Sequence, residues 1–538
     1  MPKRRERSTS QEEVLKHPST KRAKEIDADP PLGILLQHMD KQKGSTTTRN
    51  VLHWFRSKDL RAEDNRGLSA ASAKAREGSG SLLACFLWSP KDIAWHGTSP
   101  ARTDFMLESL RLLQEQLHSL NIPLVILTAE SREEKGQKVL NLIKKHDISD
   151  VFANVEYEVD ELRRDIDMFE KLKEDKSEVS FQLLHDQTVV EPGAIKSGSG
   201  GPLKVFTPYH KAWLAKVADE PKLLDLVDPP AANDKKTHKE FKDLFNTKIP
   251  SLPDASKFAS DEDRTHIRKL WPAGHKAGLN RLQDFLDNKV KTYKTNRSIP
   301  ATDNSSRLSP YFASGVISVR EALKAARDAN DGDGFDSGDA GIASWVREVV
   351  FREFYRQTLT HTPHDAMNMP HNLKFDFVQW EDDEEGWKKW CEGRTGMPFI
   401  DAGMRQLRSE AYMHNRLRMN TSSYLRTNLL IDYRKGERFF AENLVDWDLS
   451  NNTQGWEPSY TVFNPVVQAE KCDPHGDYIR KWVPELKNVE GKAIFDPFNR
   501  MSKTDFEKLG YPAPHVDFRE SKDRCMQRYK QDMADADP

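Results

Sequence analysis

A parallel, doubly wound α/β domain followed by an all-α domain is the fold class this sequence predicts. Three observations carry the prediction. Short apolar runs alternate with amphipathic stretches from about residue 50 onward, strand-like runs mostly vanish after about residue 270, and a segment rich in Pro, Gly, Lys and Asp separates the two textures. Strands covered on both faces read as unbroken apolar runs, and their alternation with helices indicates a parallel sheet.

Val51-Leu52-His53-Trp54-Phe55 is the first strand, ended by the charged turn Arg56-Ser57-Lys58-Asp59. A helical stretch from Leu68 to Ala75 leads to a second strand, Leu82 to Trp88. Met106, Leu107, Leu110, Leu113, Leu117 and Leu120 recur near helical spacing, and Pro123 to Leu127 is a further strand. No GxGxxG follows the first strand, so a dinucleotide fingerprint is absent. The α/β domain is placed at 48–185. Residues 186–265, with Gly198-Ser199-Gly200-Gly201-Pro202 and Pro229-Pro230, form an interdomain connector. The segments 274–293, 316–329, 342–360, 398–413 and 416–430 are helical and belong to a domain at 266–530. Residues 1–47 are polar with little to bury, which predicts a disordered basic tail. Its clusters Lys3-Arg4-Arg5 and Lys21-Arg22 with Lys24 are either a nuclear address or solvated charge.

Among the 538 residues, 82 Lys and Arg face 84 Asp and Glu, a net charge of −2 that excludes a protein held to nucleic acid by overall charge. A local basic surface remains open. Cys85, Cys391, Cys472 and Cys525 stand far apart without a CxxC, which excludes a disulfide scaffold and a cysteine-type zinc site. No run approaches the roughly 18 apolar residues of a membrane span, and no apolar leader opens the chain. A soluble intracellular protein is expected.

The helical half holds eight of the twelve tryptophans and a dense set of arginines, including Arg347, Arg352, Arg356, Arg405, Arg416, Arg418 and Arg426. Tryptophan is a good core residue and most of these need be no more than that. The arginines need carboxylates or phosphates to meet them; some are solvated or structurally paired, and the rest suit a phosphate-bearing ligand and a nucleic-acid backbone. Trp345, Glu348 and Arg352 share one helix face, so Glu348 is either a proton or hydrogen-bond device on an aromatic wall or a simple Glu–Arg helix pair. The run Asn304-Ser305-Ser306-Arg307-Leu308-Ser309 is either a phosphate cradle or an ordinary helix cap. Asp446-Trp447-Asp448 with Asn451-Asn452 suits a sugar, a metal or a helix end.

Taken in order, these stretches resemble the photolyase/cryptochrome family, specifically its class I cyclobutane pyrimidine dimer photolyases. The resemblance runs from about residue 50 to 530. It is carried by His53-Trp54-Phe55-Arg56, Asp59-Leu60-Arg61, Tyr157-Glu158-Val159, Arg163-Arg164-Asp165, Lys204-Val205-Phe206-Thr207-Pro208 and Ser306-Arg307-Leu308-Ser309. Arg352-Glu353-Phe354-Tyr355, Thr395-Gly396, Asp401-Ala402 and Met413-His414-Asn415-Arg416 extend it.

The resemblance implies an α/β antenna domain and a helical domain holding FAD, reduced in the active form. Tyr293, Arg297, Ser305, Ser306, Arg307 and Ser309 would hold the diphosphate end, with Leu308 also at the cofactor. Trp345, Arg352, Asn415 and Arg418 would line the flavin, Asp446 and Asp448 its edge and ribityl chain, and Asn452 the reactive nitrogen. A neutral amide there tolerates an anionic reduced flavin. The implied reaction is light-driven electron transfer to a flipped-out pyrimidine dimer in double- or single-stranded DNA, with Glu348, Phe351, Arg416 and Met419 at the lesion. Glu348 would steady the dimer radical anion as a preorganised donor. Trp456, Tyr433 and Trp380 would feed electrons to the flavin, tyrosine replacing the family's middle tryptophan. His96, Asp160 and Glu161 match contacts of a methenyltetrahydrofolate antenna; a deazaflavin or no antenna are the alternatives.

Two departures touch the lesion pocket. Trp456-Glu457 runs almost directly into Pro458-Ser459-Tyr460, without the second tryptophan and small-residue loop of the family, and Phe351 stands where its repair enzymes usually carry tryptophan. The leading expectation is a monomeric nuclear DNA-repair enzyme with a possible mitochondrial pool. The alternatives are a cryptochrome-type blue-light receptor and a flavoprotein that binds nucleic acid without repairing it.

Overall fold

In the computed structural model, residues 16–538 are described apart from 43, 46, 331–333 and 535. Strands β1 (Asn50–Phe55), β2 (Leu82–Trp88), β3 (Leu124–Thr128), β4 (Ile148–Asn154) and β5 (Ser180–Leu184) make one parallel sheet in the order β3-β2-β1-β4-β5. Trp54 pairs with Cys85 on one side and Ala153 on the other, which puts β1 at the centre. Val51, Leu52 and Leu83 are fully buried, as doubly covered strands require. The chain winds outward from β1 through β2 and β3, then returns to β4 and β5 on the other side. Between β1 and β4 lies a topological switch point, the place where open α/β sheets bind ligands beyond their strand ends.

The second half is helical. The long Ala340–His361 helix is capped by Asp339, whose carboxylate accepts from the amides of Gly341 and Ile342 at 2.7 and 3.1 Å. The expected helix over 274–293 is two, His275–Asn288 and Val290–Asn296, broken at Lys289. The one expected over 416–430 is an α-helix, Asn415–Ser423, that relaxes into a π-type turn over Tyr424–Asn428. Gly315 adopts φ +62, and a Cβ there would lie 1.7 Å from the Lys58 carbonyl oxygen, so only glycine lets the two domains meet this closely. Arg61, Arg320, Asp64 and Asp186 form a buried ion network at the same junction.

One sequence expectation needs correction. Within the supposed disordered tail, Thr20–Ala28 and Pro31–Asp40 are helices. Ser19 caps the first, its hydroxyl accepting from the Arg22 amide at 3.2 Å. Ile26 and Leu35 are buried, the first against the helical domain and the second in the core of the α/β domain. The burial that orders them comes from residues far along the chain. Residues 1–15, with Lys3-Arg4-Arg5, lie outside the described residues.

Candidate functional site

Four polar contacts bring the sequence-flagged segments together. Trp345 Nε1 donates to Ser306 Oγ at 3.2 Å, and Ser309 Oγ donates to Asp446 Oδ2 at 2.6 Å. Arg418 Nη2 donates to both oxygens of Asp446 at 3.0 and 2.7 Å, and Arg297 Nη1 is ion-paired to Glu348. The turn 304–309 therefore sits against the Ala340–His361 helix on one side and the 446–452 segment on the other. Arg307 has φ +49, and its guanidinium is directed to Asp303 at 2.7 Å and Glu410 at 3.4 Å. Its backbone, not its side chain, is what this turn presents. Leu308 is buried beneath. Tyr293 lies edge-on to Phe285 with ring centroids 5.5 Å apart. Asn415, at the first turn of its helix, is exposed.

Glu348 pairs with Arg297 and not with Arg352, so the simple i,i+4 helix pair is not what the fold makes. Arg352 donates instead to the carbonyl oxygens of Gln187 at 2.9 Å and Phe312 at 3.1 Å. Desolvation by burial, then the neighbouring Arg356, lowers its pKa to about 9. Asp448 and Glu353 offset part of its charge, and a guanidinium whose hydrogen bonds go to carbonyl oxygens keeps positive character that suits an anionic ligand beside it. Phe351 is half-buried, its ring 4.1 Å from that of Phe206. Arg416 Nη2 donates to Ser298 Oγ at 3.0 Å and Met419 packs beside the same guanidinium.

Asp448 realises the helix-end reading. It accepts from the Asn451 amide at 3.0 Å, capping Leu449–Trp456, and from Arg356 Nη2 at 2.6 Å. One turn on, Asn452 is buried and its amide donates to the Glu437 carbonyl oxygen at 3.0 Å. At the end of this helix, Trp456 is edge-on to Trp390 at 6.1 Å and to Phe440 at 4.9 Å. Tyr433 and Trp380 meet at 6.1 Å. Tyr460 packs on Phe375 and Tyr529, and its hydroxyl reaches Met533 Sδ at 3.4 Å. Its ring is thus engaged with the C-terminal helix Phe518–Ala534.

A second feature lies at the switch point of the sheet: a solvent-open cleft lined among others by Lys58, His96, Glu156, Glu158, Glu161 and Trp447. Desolvation in this cleft lowers the His96 pKa to about 4, against the pull of Asp160. Burial and then Glu156 raise that of Glu161. Asp160 is not among the lining residues; it pairs with Arg132 at 2.5 Å.

The residues present fit FAD. A turn rich in hydroxyls with Arg297 beside it suits a diphosphate. The carbonyl-held Arg352 and the neutral, buried Asn452 suit a flavin ring that carries negative charge. Glu353 went unflagged by the sequence. Fully buried, its carboxylate accepts from Trp213 Nε1 at 2.7 Å and from the Val190 amide at 3.4 Å, tying the connector to the helix that carries Glu348. A carboxylate inside the Arg352-Glu353-Phe354-Tyr355 run was the available signal. Among the described residues no cluster suits a metal, and no helix is long and apolar enough to cross a membrane.

Comparison with known proteins gives the family. Residues 51–230 match the model of the DNA photolyase family, and 345–531 match that of the FAD binding domain of DNA photolyase. The chain is 40% identical to deoxyribodipyrimidine photo-lyase of Neurospora crassa, over 92% of this chain and 83% of that protein. It is 32% identical to the mitochondrial deoxyribodipyrimidine photo-lyase of Saccharomyces cerevisiae, over 94% and 90% of the two chains. The crystal structure of a class III photolyase from Agrobacterium tumefaciens superposes with a TM-score of 0.76 at 30% identity, covering 91% of this chain and 99% of that one.

Proposed function

The chain belongs to the DNA photolyase family, and from that premise we propose how its own residues perform the family's reaction. The protein is an FAD-dependent enzyme that repairs cyclobutane pyrimidine dimers in DNA with light. When bound, reduced FAD supplies a photoexcited one-electron donor whose loan to the dimer opens the cyclobutane ring and is then recovered.

The observation that carries the residue assignment is the convergence of Ser306 on Trp345 and of Ser309 on the Asp446–Arg418 pair. Around that point Arg297, Ser305, Ser306 and the 307–309 backbone hold the diphosphate. Tyr293, Trp345, Leu308 and Asn415 line the cofactor, Asp446 and Asp448 fix the segment beneath it, and Asn452 presents a neutral amide to the reactive nitrogen. Arg352 places positive charge where negative charge accumulates. Glu348, half-exposed beside Arg297, hydrogen-bonds the flipped dimer, with Phe351, Arg416 and Met419 completing its pocket. Exposed arginines grip the bent backbone, and undamaged stacking neighbours stay in the duplex.

The switch-point cleft takes a methenyltetrahydrofolate antenna against His96 and Glu161, with Asp160 at Arg132 alongside. The enzyme acts as a monomer in the nucleus. Supporting that address are the basic residues Lys21, Arg22 and Lys24; the mitochondrial relative makes a second pool the alternative outcome of localising a tagged chain.

Repair of a thymine-dimer oligonucleotide by purified, photoreduced protein, with and without blue light, tests the whole reading. Light-dependent loss of the dimer supports it. No repair despite bound, reducible FAD overturns it.

A further inference from the structure

The rings around Trp456 lead away from the tyrosine that the sequence placed next in line. Trp456 is edge-on to Trp390 with centroids 6.1 Å apart, and Trp390 stacks on Trp387 at 5.5 Å and 20°. Trp456 and Trp390 are buried, whereas Trp387 is half-buried, so three indoles in contact run from the core to the surface. The ring partners of Trp456 among the described residues are Trp390 and Phe440; that of Tyr433 is Trp380.

The chemistry of the two branches differs as much as their contacts. A phenol gives up an electron readily only when its proton can leave at the same time. The Tyr433 ring is 2% exposed, and its hydroxyl has no hydrogen-bond partner among the described residues. Burial also pushes its pKa well above the usual value. An oxidised Tyr433 would therefore have to remain a buried cation with its proton in place, a costly state. Indole loses an electron without losing its proton. Trp390 Nε1 already donates to the Thr421 carbonyl oxygen at 3.1 Å, a dipole oriented to stabilise positive charge on the ring. At the surface, Lys435 Nζ stands 6.0 Å from the Trp387 ring centre, with its charge met by Glu384 at 3.4 Å.

We propose that electrons reach the flavin through Trp387, Trp390 and Trp456 in that order, with Trp387 the surface terminus and Tyr433 and Trp380 off the route. In each photoreduction event Trp456 would give one electron to the bound flavin, and the vacancy left on Trp456 would be filled from Trp390 and that on Trp390 from Trp387. A thiol in solution fills the vacancy on Trp387, losing one electron and one proton, and two thiyl radicals couple to a disulfide. No bond in the protein forms or breaks. These residues act in restoring the reduced cofactor rather than in repair.

The inference rests on the flavin reading above, and the absorption spectrum of the purified protein separates the two. Protein that binds no flavin overturns both. With flavin bound, photoreduction under blue light with dithiothreitol is followed in the parent, Trp390→Phe, Trp387→Phe and Tyr433→Phe, each normalised to its flavin content. At least a tenfold loss of rate in both tryptophan variants is expected, with a tryptophanyl radical seen by flash absorption in the parent and lost in Trp390→Phe. Illumination without thiol, followed by peptide mapping, should place the added oxygen on Trp387, a readout independent of the rate. Parental rates in the tryptophan variants, a comparable loss in Tyr433→Phe, or oxidation concentrated on Trp380 overturns the proposal. Because Trp387 is half-buried, its replacement by phenylalanine tests the route even where Trp390→Phe disturbs packing.

Discussion

Asp448 accepts a hydrogen bond from Arg356 at 2.6 Å, and each of the two side chains is 2% exposed. The pair joins the helix that carries Glu348 to the cap of the helix that carries Asn452. Two halves of the site are thus locked by one buried ion pair. Removing one member leaves the other charge buried and uncompensated, which typically costs about 3–5 kcal/mol. Arg356→Ala should therefore lower the urea midpoint markedly and release flavin at lower denaturant than the parent does. The two losses should coincide, because the same contact serves both.

The same pair sets an acid limit. Burial opposes the charge on Asp448, but Arg356 and then Lys58 outweigh it and hold the carboxylate well below the usual range. A depressed carboxylate contributes its full stability above the unfolded pKa, near 4, and loses it as the pH falls through the folded value. Flavin retention should therefore weaken progressively below about pH 4. In Asp448→Asn that acid dependence should be shallower, measured by flavin fluorescence after equilibration at each pH.

Glu348→Ala should keep its flavin while repairing less efficiently. The carboxylate lies at the mouth of the site, bound to Arg297, and a hydrogen bond to a charged group is worth about 1.5–3 kcal/mol. Affinity for a dimer-containing oligonucleotide should drop roughly tenfold or more, with lower repair quantum yield at saturation. Equilibrium anisotropy and dimer loss per absorbed photon measure the two effects separately. Flavin loss would make Glu348 a cofactor-holding residue through Arg297 instead.

In the proposed lesion pocket Phe351, packed on Phe206, would supply one stacking wall, and Tyr460 is engaged at the C-terminal helix, so that pocket would rely on few rings. Base–aromatic stacking is worth about 1–3 kcal/mol per base. Phe351→Ala should weaken binding of dimer DNA by about tenfold and leave undamaged DNA nearly unaffected. A competition assay with both oligonucleotides reads that ratio directly. Equal loss for both would show that Phe351 merely supports Phe206.

What the sequence revealed follows from where burial originates. The strands were legible because β1 and β2 bury both faces and β3 buries its first half, so each reads as an apolar run. Ser306, Ser309 and Asp446 were legible as residue types, but not the direction of Arg307, which depends on a left-handed backbone and on Glu410 far along the chain. Trp390 and Trp387 were indistinguishable from packing residues, because their spacing fits any helix and only the fold stacks them toward Trp456. The helix Thr20–Ala28 was hidden for the same reason, its apolar residues being few and its partners hundreds of residues away; Pro31–Asp40 carries Leu32, Ile34, Leu35, Leu36 and Met39, an apolar run that the polar average of the whole segment conceals.

The last prediction concerns those helices. Asp27, at the end of Thr20–Ala28, bonds His364 Nδ1 at 2.6 Å, and His364 is buried beside Asp365. Burial acts to lower the His364 pKa, but the Asp27 hydrogen bond and the charges of Asp365 and Asp27 prevail and leave it raised. His371, itself paired to Asp365 at 3.1 Å, is raised as well, led by that hydrogen bond. Burial raises the pKa of Asp365 itself and, to about 7, that of Glu457, which accepts from the His371 amide at 2.9 Å. A histidine raised by its partner contributes stability that is complete below its unfolded pKa, near 6.5, and disappears as the pH rises through its folded value. The N-terminal segment should therefore be held most firmly in mild acid and loosen above neutrality. Limited proteolysis ahead of residue 40 should accelerate between pH 6 and 9 in the parent. In Asp27→Asn it should already be fast at pH 6, the substitution costing about 1–3 kcal/mol of docking there and little at pH 9. Because Glu457 directly follows Trp456, the same titration should be visible in Trp456 fluorescence; a cleavage rate independent of pH in the parent would exclude the histidine as the fastening.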